Sequence, residues 1–319
     1  MTILLQALAV TSEKHVELND FESLIRAHAL ESLNHFATCD RSWLKSPAVQ
    51  VAMQRSSTQL VPNRAYLLHA ILAISAAHLA FYRPPGQSSV YWMASRAHFQ
   101  HSLIEFTERM QADIDEQDAD ALFFASLIHA MLAFMFSPLP LSVAQEESRP
   151  GWVLSMRGTH LLFTMPTVVD RLSQGRWATV VEEHKTWHRQ ARLAAACASS
   201  SRTSNATAAL LQYCNSLPES RREGYLERVQ TLRMMELETA TSQSIGGLAS
   251  FITEAPREYI LQVKSQDEVA LLLLLRWCGL FSRVDQWWVS RAATSEYGRL
   301  YAYLARNGSE EVQAILNVM

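Results

Sequence analysis

Apolar residues recur three and four positions apart along almost the whole chain, and no alternating run of β-branched residues between turn signals interrupts them. Side chains patterned this way are buried by packing helix on helix. Two stretches, 65–82 and 121–136, carry no charged residue at all. Helices surrounded by protein on every side read like this, and so do membrane spans. Both stretches contain histidine, and the second falls short of the roughly 18–20 residues a span requires, so buried helices and no membrane span are expected. Hydrophobic residues make up 49% and charged residues 18% of 319, enough apolar chain for a sizeable core with a thin polar shell. The expectation is all-α: one large helical domain over 1–319, with a mobile loop at 197–206, where Ser199 to Asn205 is the most linker-like run.

Local signals divide the pattern. Asn19 and Glu22 make a capping box for a helix reaching about Phe36, and Pro47 opens a second. A third runs from about Arg64 to Phe81, where Arg83-Pro84-Pro85-Gly86 predicts a surface loop before a helix over 88–110. Asp113, Asp115, Glu116, Asp118 and Asp120 then gather where a helix N-terminus favours negative charge, which predicts a solvated helix start. Later helices are expected over 177–196, 206–214, 224–241, 267–281, 294–305 and the C-terminus, with Gly246-Gly247 as a break.

A formal charge of −3 supplies no field to gather phosphates, so direct nucleic-acid binding is not expected. Cys39, Cys197, Cys214 and Cys278 lie far apart and form no C-x-x-C pair, reading as buried thiols of a reducing compartment. The first ten residues lack a charged n-region, and a cytoplasmic location is expected, nuclear for a regulator.

Motifs exclude several chemistries. G-x-S-x-G, G-x-G-x-x-G and P-loop patterns are absent from the sequence. The aspartates of 113–118 have the wrong spacing for the metal motif of a terpene cyclase. His184 and His188 share one helical face with Glu182 or Glu183 nearby, but no third ligand is evident, so they read as an exposed pair. No metal and no cofactor are expected. What remains is an aromatic and methionine inventory suited to an apolar pocket or, for most of its members, to plain core: Phe123, Phe124, Met131, Phe134, Met135, Phe136, Trp152, Trp277 and Phe281.

Polar groups embedded in that inventory are the informative ones, because a pocket fixes its ligand with sparse donors. His129 reads either as a core histidine bonded to the backbone or as a pocket donor. Arg157 either anchors a ligand oxygen or caps a helix end, and His160 follows it by three. Arg276 reads as a snorkelling or ion-paired side chain beside Trp277. The candidate site is therefore Arg157 and His160 as catalytic groups, with His129, Met131, Phe134, Trp152, Arg276, Trp277 and Phe281 against the substrate.

The series Tyr66-Leu-Leu-His69-Ala-Ile-Leu-Ala-Ile-Ser75-Ala-Ala-His78-Leu-Ala80, followed by Tyr91, Ala97, His98, Phe99 and Phe106 and then by Trp152, Arg157 and Gly158, resembles the ligand-binding region of fungal zinc-cluster regulators of the sterol-uptake type. The resemblance implies an all-α domain that binds a hydrophobic small molecule, with His69 and His78 as packing residues of a structural helix. It departs from the family before His35, where no cysteine of a DNA-binding zinc cluster occurs. The cofactor-free hetero-Diels–Alderases of fungal natural-product assembly are the stand-alone enzymes this architecture suggests. Two functions are thus expected: a cofactor-independent cyclisation, with a carbonyl polarised by Arg157 and His160, and a ligand-sensing regulator acting through protein partners or as a homodimer.

Overall fold

A computed structural model describes residues 20–39, 46–112, 114, 116–136, 151–197, 204–237 and 245–319. The protein is all-α: the described residues form fifteen α-helices and a 3₁₀ turn, with no strand. In chain order these are α1 (Asp20–Thr38), α2 (Pro47–Leu60), α3 (Ala65–Tyr82), α4 (Pro85–Gln111), α5 (Glu116–Phe136), α6 (Trp152–Leu162), α7 (Pro166–Gln174), α8 (Ala178–Cys197), α9 (Asn205–Ser216), α10 (Glu219–Leu237), α11 (Ile245–Thr253), α12 (Arg257–Lys264), α13 (Glu268–Phe281), α14 (Ser290–Asn307) and α15 (Glu310–Leu316). They pack into two compact units, one of residues up to Leu132 together with Leu161–Val181, the other of Ala133–His160 and Glu182–Met319.

In the first unit α1 and α4 pack against α3, whose residues 70–80 are all buried. Ala70, Ala73, Ala76, Ala77 and Ala80 keep the α3 surface low, which lets a neighbouring backbone approach closely. The serines of α4 exploit that approach: Ser95 Oγ donates to Ala73 O at 2.7 Å and Ser102 Oγ to Tyr66 O at 2.6 Å. Each buried hydroxyl thus finds its partner in a carbonyl of α3. The charge-free segment is a core helix, as is the second apolar stretch, and each has 72% of its span-length window buried.

Two expectations about this unit change. The expected surface loop shrinks to the exposed pair Arg83 and Pro84, since Pro85 is already the first residue of α4, where its missing N–H costs nothing and its fixed φ suits the helix. Of the acidic residues, Asp113 and Asp115 lie outside the described residues, and two others are no solvated start: Asp118 is paired with Arg64 (3.0 Å) and Arg109, and Asp120, 1% exposed, meets Arg176 Nη1 at 2.6 Å. Burial acts to raise the Asp118 carboxyl, but hydrogen bonds from Arg109 and Arg64 outweigh it and hold it below its ordinary range.

In the second unit α13 is the central helix, buried at twelve positions from Val269 to Phe281 and packed against α14, α10 and α9. Asp267 caps it, its Oδ1 accepting from Val269 N at 3.0 Å and Ala270 N at 3.1 Å while also receiving the Tyr225 hydroxyl. Helices α6 and α12 lie where no helix was expected. The loop expected at 197–206 falls largely on 198–203, outside the described residues; on its two sides α8 ends at Cys197 and α9 begins after the N-cap Ser204. Cys214 and Cys278 are buried free thiols, pushed up by that burial, Cys214 to about 12, and Cys39 is partly exposed.

Gly246 and Gly247 do not break a helix but lie within α11. A Cβ at Gly247 would stand 2.0 Å from Cε2 of Trp187, so the bare α-carbon is what lets the indole of α8 lie flush on α11. This contact sets the spacing of the two helices that carry the polar cluster described next.

Candidate functional site

Helices α6, α8 and the end of α11 bring polar side chains together in the second unit. Lodged against Gly247, Trp187 fixes the rotation of α8, and His184 and His188, one turn apart, then face the residue that follows α11, Glu254. His184 Nε2 lies 2.9 Å and His188 Nε2 2.8 Å from the same carboxylate oxygen, Oε1, and the two nitrogens are 3.2 Å apart. All three side chains are about one-third exposed or less. Burial acts to raise the Glu254 carboxyl, but the hydrogen bonds of His184 and His188 outweigh it and hold the group at about 2.

Arg157 and His160 of α6 border this cluster. Arg157 donates Nε–H to Ala255 O at 3.0 Å, meeting a carbonyl just beyond the α11 C-terminus as a capping arginine does. His160 feels the charges of Glu254, Arg157, His184 and His188, and burial, the largest influence, pulls its imidazole below the ordinary range. The two groups expected to be catalytic lie one helical turn apart, Arg157 bonded to Ala255 O and His160 within the field of Glu254, both about a hundred residues downstream.

Most of the apolar candidates form one aromatic cluster in the same unit. Trp152 stacks on Trp277 with centroids 5.6 Å apart, Trp277 on Phe281 at 4.6 Å, and Phe134 meets Trp152 edge-on at 4.8 Å. Their polar handles are satisfied by protein: Trp277 Nε1 donates to Leu248 O at 2.7 Å and Trp152 Nε1 to Glu296 at 3.2 Å. Arg276 is ion-paired. Its Nε donates to Glu236 Oε1 at 2.9 Å and its Nη2 to the N-cap Ser204 at 3.0 Å, and both ends of the Arg276–Glu236 pair are less than a tenth exposed. His129 and Met131 belong to the first unit. Since the only Ser102 hydroxyl hydrogen goes to Tyr66 O, His129 Nε2, 2.6 Å from Ser102 Oγ, must be the donor there; burial drives this imidazole down to about 3 and keeps it neutral.

Two groups that sequence reasoning missed lie in the segment that follows the aromatic cluster along the chain. Phe281 meets Trp288 edge-on at 6.2 Å, in the segment joining α13 to α14. Two positions before Trp288 in the chain, Gln286 is 2% exposed, and among the described residues neither its Oε1 nor its Nε2 has a hydrogen-bond partner; the Trp288 indole N–H has none either. A buried primary amide with both ends unmatched costs about 1–3 kcal/mol per group, so such a group calls for a partner. Only the aromatic density of Asp285-Gln-Trp-Trp288 marks the spot in the sequence.

The chain matches no protein-family profile, and no curated protein matches it.

Proposed function

We propose that the second unit binds an apolar small molecule bearing one hydrogen-bonding group, as the resemblance to the ligand-binding region of fungal zinc-cluster regulators implies. The unmatched, buried amide of Gln286 carries this reading. It offers a donor and an acceptor to a ligand's hydroxyl or carbonyl, while Trp288 and Phe281 provide ring faces for the apolar body. The test is mass spectrometry of molecules that co-purify with the chain, followed by binding of that molecule, or of a sterol and terpenoid panel, to the Gln286→Met variant. Met keeps the volume and removes the amide. Binding weakened about tenfold, the equivalent of one lost hydrogen bond, together with a higher melting temperature of the ligand-free variant supports the reading. Unchanged affinity overturns it.

A second reading, cofactor-independent hetero-Diels–Alder cycloaddition of an enone or quinone methide with an alkene, is favoured by the pairing of Arg157, which commits one N–H to Ala255, with the neutral His160 on the same helix. Arg157 would polarise a carbonyl while the aromatic walls orient the reacting alkene, and orientation alone contributes about 7–11 kcal/mol in intramolecular models. Incubating the protein with a diene and an alkene separates the two readings. A new adduct whose rate falls in Arg157→Ala marks an enzyme, and an unchanged lipid marks a receptor.

A further inference from the structure

The geometry points to a divalent transition-metal site formed by His184 Nε2, His188 Nε2 and Glu254 Oε1, separate in its residues from the ligand site at Gln286. Two imidazoles that merely donated to a carboxylate would be free to use its two oxygens. Here both aim at Oε1, which brings the two Nε2 atoms to 3.2 Å from each other. With both nitrogens donating to one oxygen, their hydrogens crowd together. With both deprotonated and facing a cation, the same three atoms form a ligand set.

The dimensions suit that role. For a triangle with sides of 2.8, 2.9 and 3.2 Å, a point about 1 Å above its plane lies about 2.0–2.1 Å from every corner, the bond length of zinc to imidazole and carboxylate. A pair of histidines one helical turn apart plus a glutamate from elsewhere in the chain is a zinc-type donor set that leaves the fourth tetrahedral corner to water or a substrate oxygen. Borderline nitrogen donors with a single carboxylate favour Zn²⁺, Co²⁺ or Cu²⁺ over Mg²⁺ or Ca²⁺. The site is also held in shape: Trp187, seated against Gly247, meets the His188 ring edge-on at 4.9 Å, and Arg157 ties α6 to the carbonyl next to Glu254.

A second His/Cys group, His35, Cys39 and His78, lies in the first unit, and the test has to separate the two. The full chain, freed of any affinity tag, is stripped with chelator and titrated with Co²⁺ while its visible spectrum is followed, with Zn²⁺ competition for affinity. We expect one equivalent bound at this site, tetrahedral d–d bands without thiolate charge transfer, and a higher melting temperature with Zn²⁺. His188→Ala and Glu254→Gln should each weaken this binding about 100-fold or more, while Cys39→Ser leaves it unchanged. Circular dichroism shows whether the variants keep their helices; if one does not, the Zn²⁺-dependent melting shift of the unmodified chain, compared with that of Cys39→Ser, decides in its place. The inference is overturned by less than a tenth of an equivalent bound in excess Co²⁺, by an octahedral spectrum, or by binding that vanishes with Cys39→Ser and survives Glu254→Gln. The ligand reading at Gln286 fails independently, through its own affinity measurement.

Discussion

The two units use histidine in opposite ways. In the first, His78, His98 and His129 are buried in the core and matched to a less buried imidazole or to a hydroxyl: His78 Nδ1 lies 2.7 Å from His35 Nε2, His98 Nδ1 3.0 Å from His69 Nδ1, and His129 is paired with Ser102. Burial drives His78 down to about 4 and His98 and His129 to about 3, so all three stay uncharged at neutral pH. In the second unit His184 and His188 sit at a partly exposed rim and converge on a carboxylate. An imidazole without counter-charge in a dry interior is a polar packing piece, whereas two of them around one ionised oxygen make a binding surface. The same residue type, found on helices throughout, acquires its role from what another helix places opposite.

The largest expected effect sharpens this contrast through pH. The folded pKa values of His78, His98 and His129 lie below the unfolded value near 6.5, so the unfolded chain binds more protons, and stability that is full above about pH 6.5 falls as pH drops toward 4. Between pH 7 and 5 each such group costs about 2 kcal/mol, or about 6 kcal/mol for the three. Glu254 behaves otherwise: its depressed carboxyl contributes stability above about pH 4.5 that is lost only as pH falls toward 2. Urea unfolding at pH 7 and pH 5, with hydrogen exchange read separately on α3–α4 and α13–α14 peptides, measures it. Equal stability at the two pH values would break the comparison.

Next in size is Arg276→Ala. Its removal strands Glu236 nearly buried without its cation, and a loss of about 3–5 kcal/mol is expected, while replacing both partners by Met and Leu restores most of it. Chemical denaturation of the single and double variants distinguishes this structural pair from a ligand-holding arginine. If Arg276→Ala instead leaves stability intact and abolishes ligand binding, its placement against the substrate, and not the ion pair that the sequence also suggested, is the better account. The smallest effect belongs to Gly247→Ala, which forces Trp187 to move at a cost of about 1–3 kcal/mol. Because Trp187 sets the rotation of α8, this variant should also weaken Co²⁺ binding while leaving His129 and its neighbours untouched; an unaltered metal titration would disconnect the wedge from the site.

Much of the fold was legible because helical periodicity, caps and prolines act over a few residues. α3, α9 and α13 lie within two residues of their expected bounds, and Asp267 and Ser204 cap as their types favour. Where two signals competed, the reading failed: Pro85 breaks a helix by one rule and opens one by another, and the structure takes the second. Sites were less legible, since their geometry joins distant segments. His184 and His188 announced a shared face, but their third partner lies 66 positions beyond His188, and nothing local marks Glu254 as different from other surface glutamates. Arg157 was readable as cap or anchor, and only the placement of Ala255 O showed which role its Nε takes. Gln286 gave no periodic signal, being a polar residue in a connector that happens to be buried.

The close seat of Trp187 on Gly247 has a consequence for how this sequence is free to drift. Any side chain at 247 collides with the indole, and any shortening of the indole opens a gap above a bare α-carbon, so neither position can change profitably alone. Across descendants of this chain the two sites should exchange together, a small aromatic or aliphatic residue at 187 accompanying alanine at 247. A paired record of that kind, visible in sequences with no structure at all, would tell which descendants still hold the α8 histidines over Glu254.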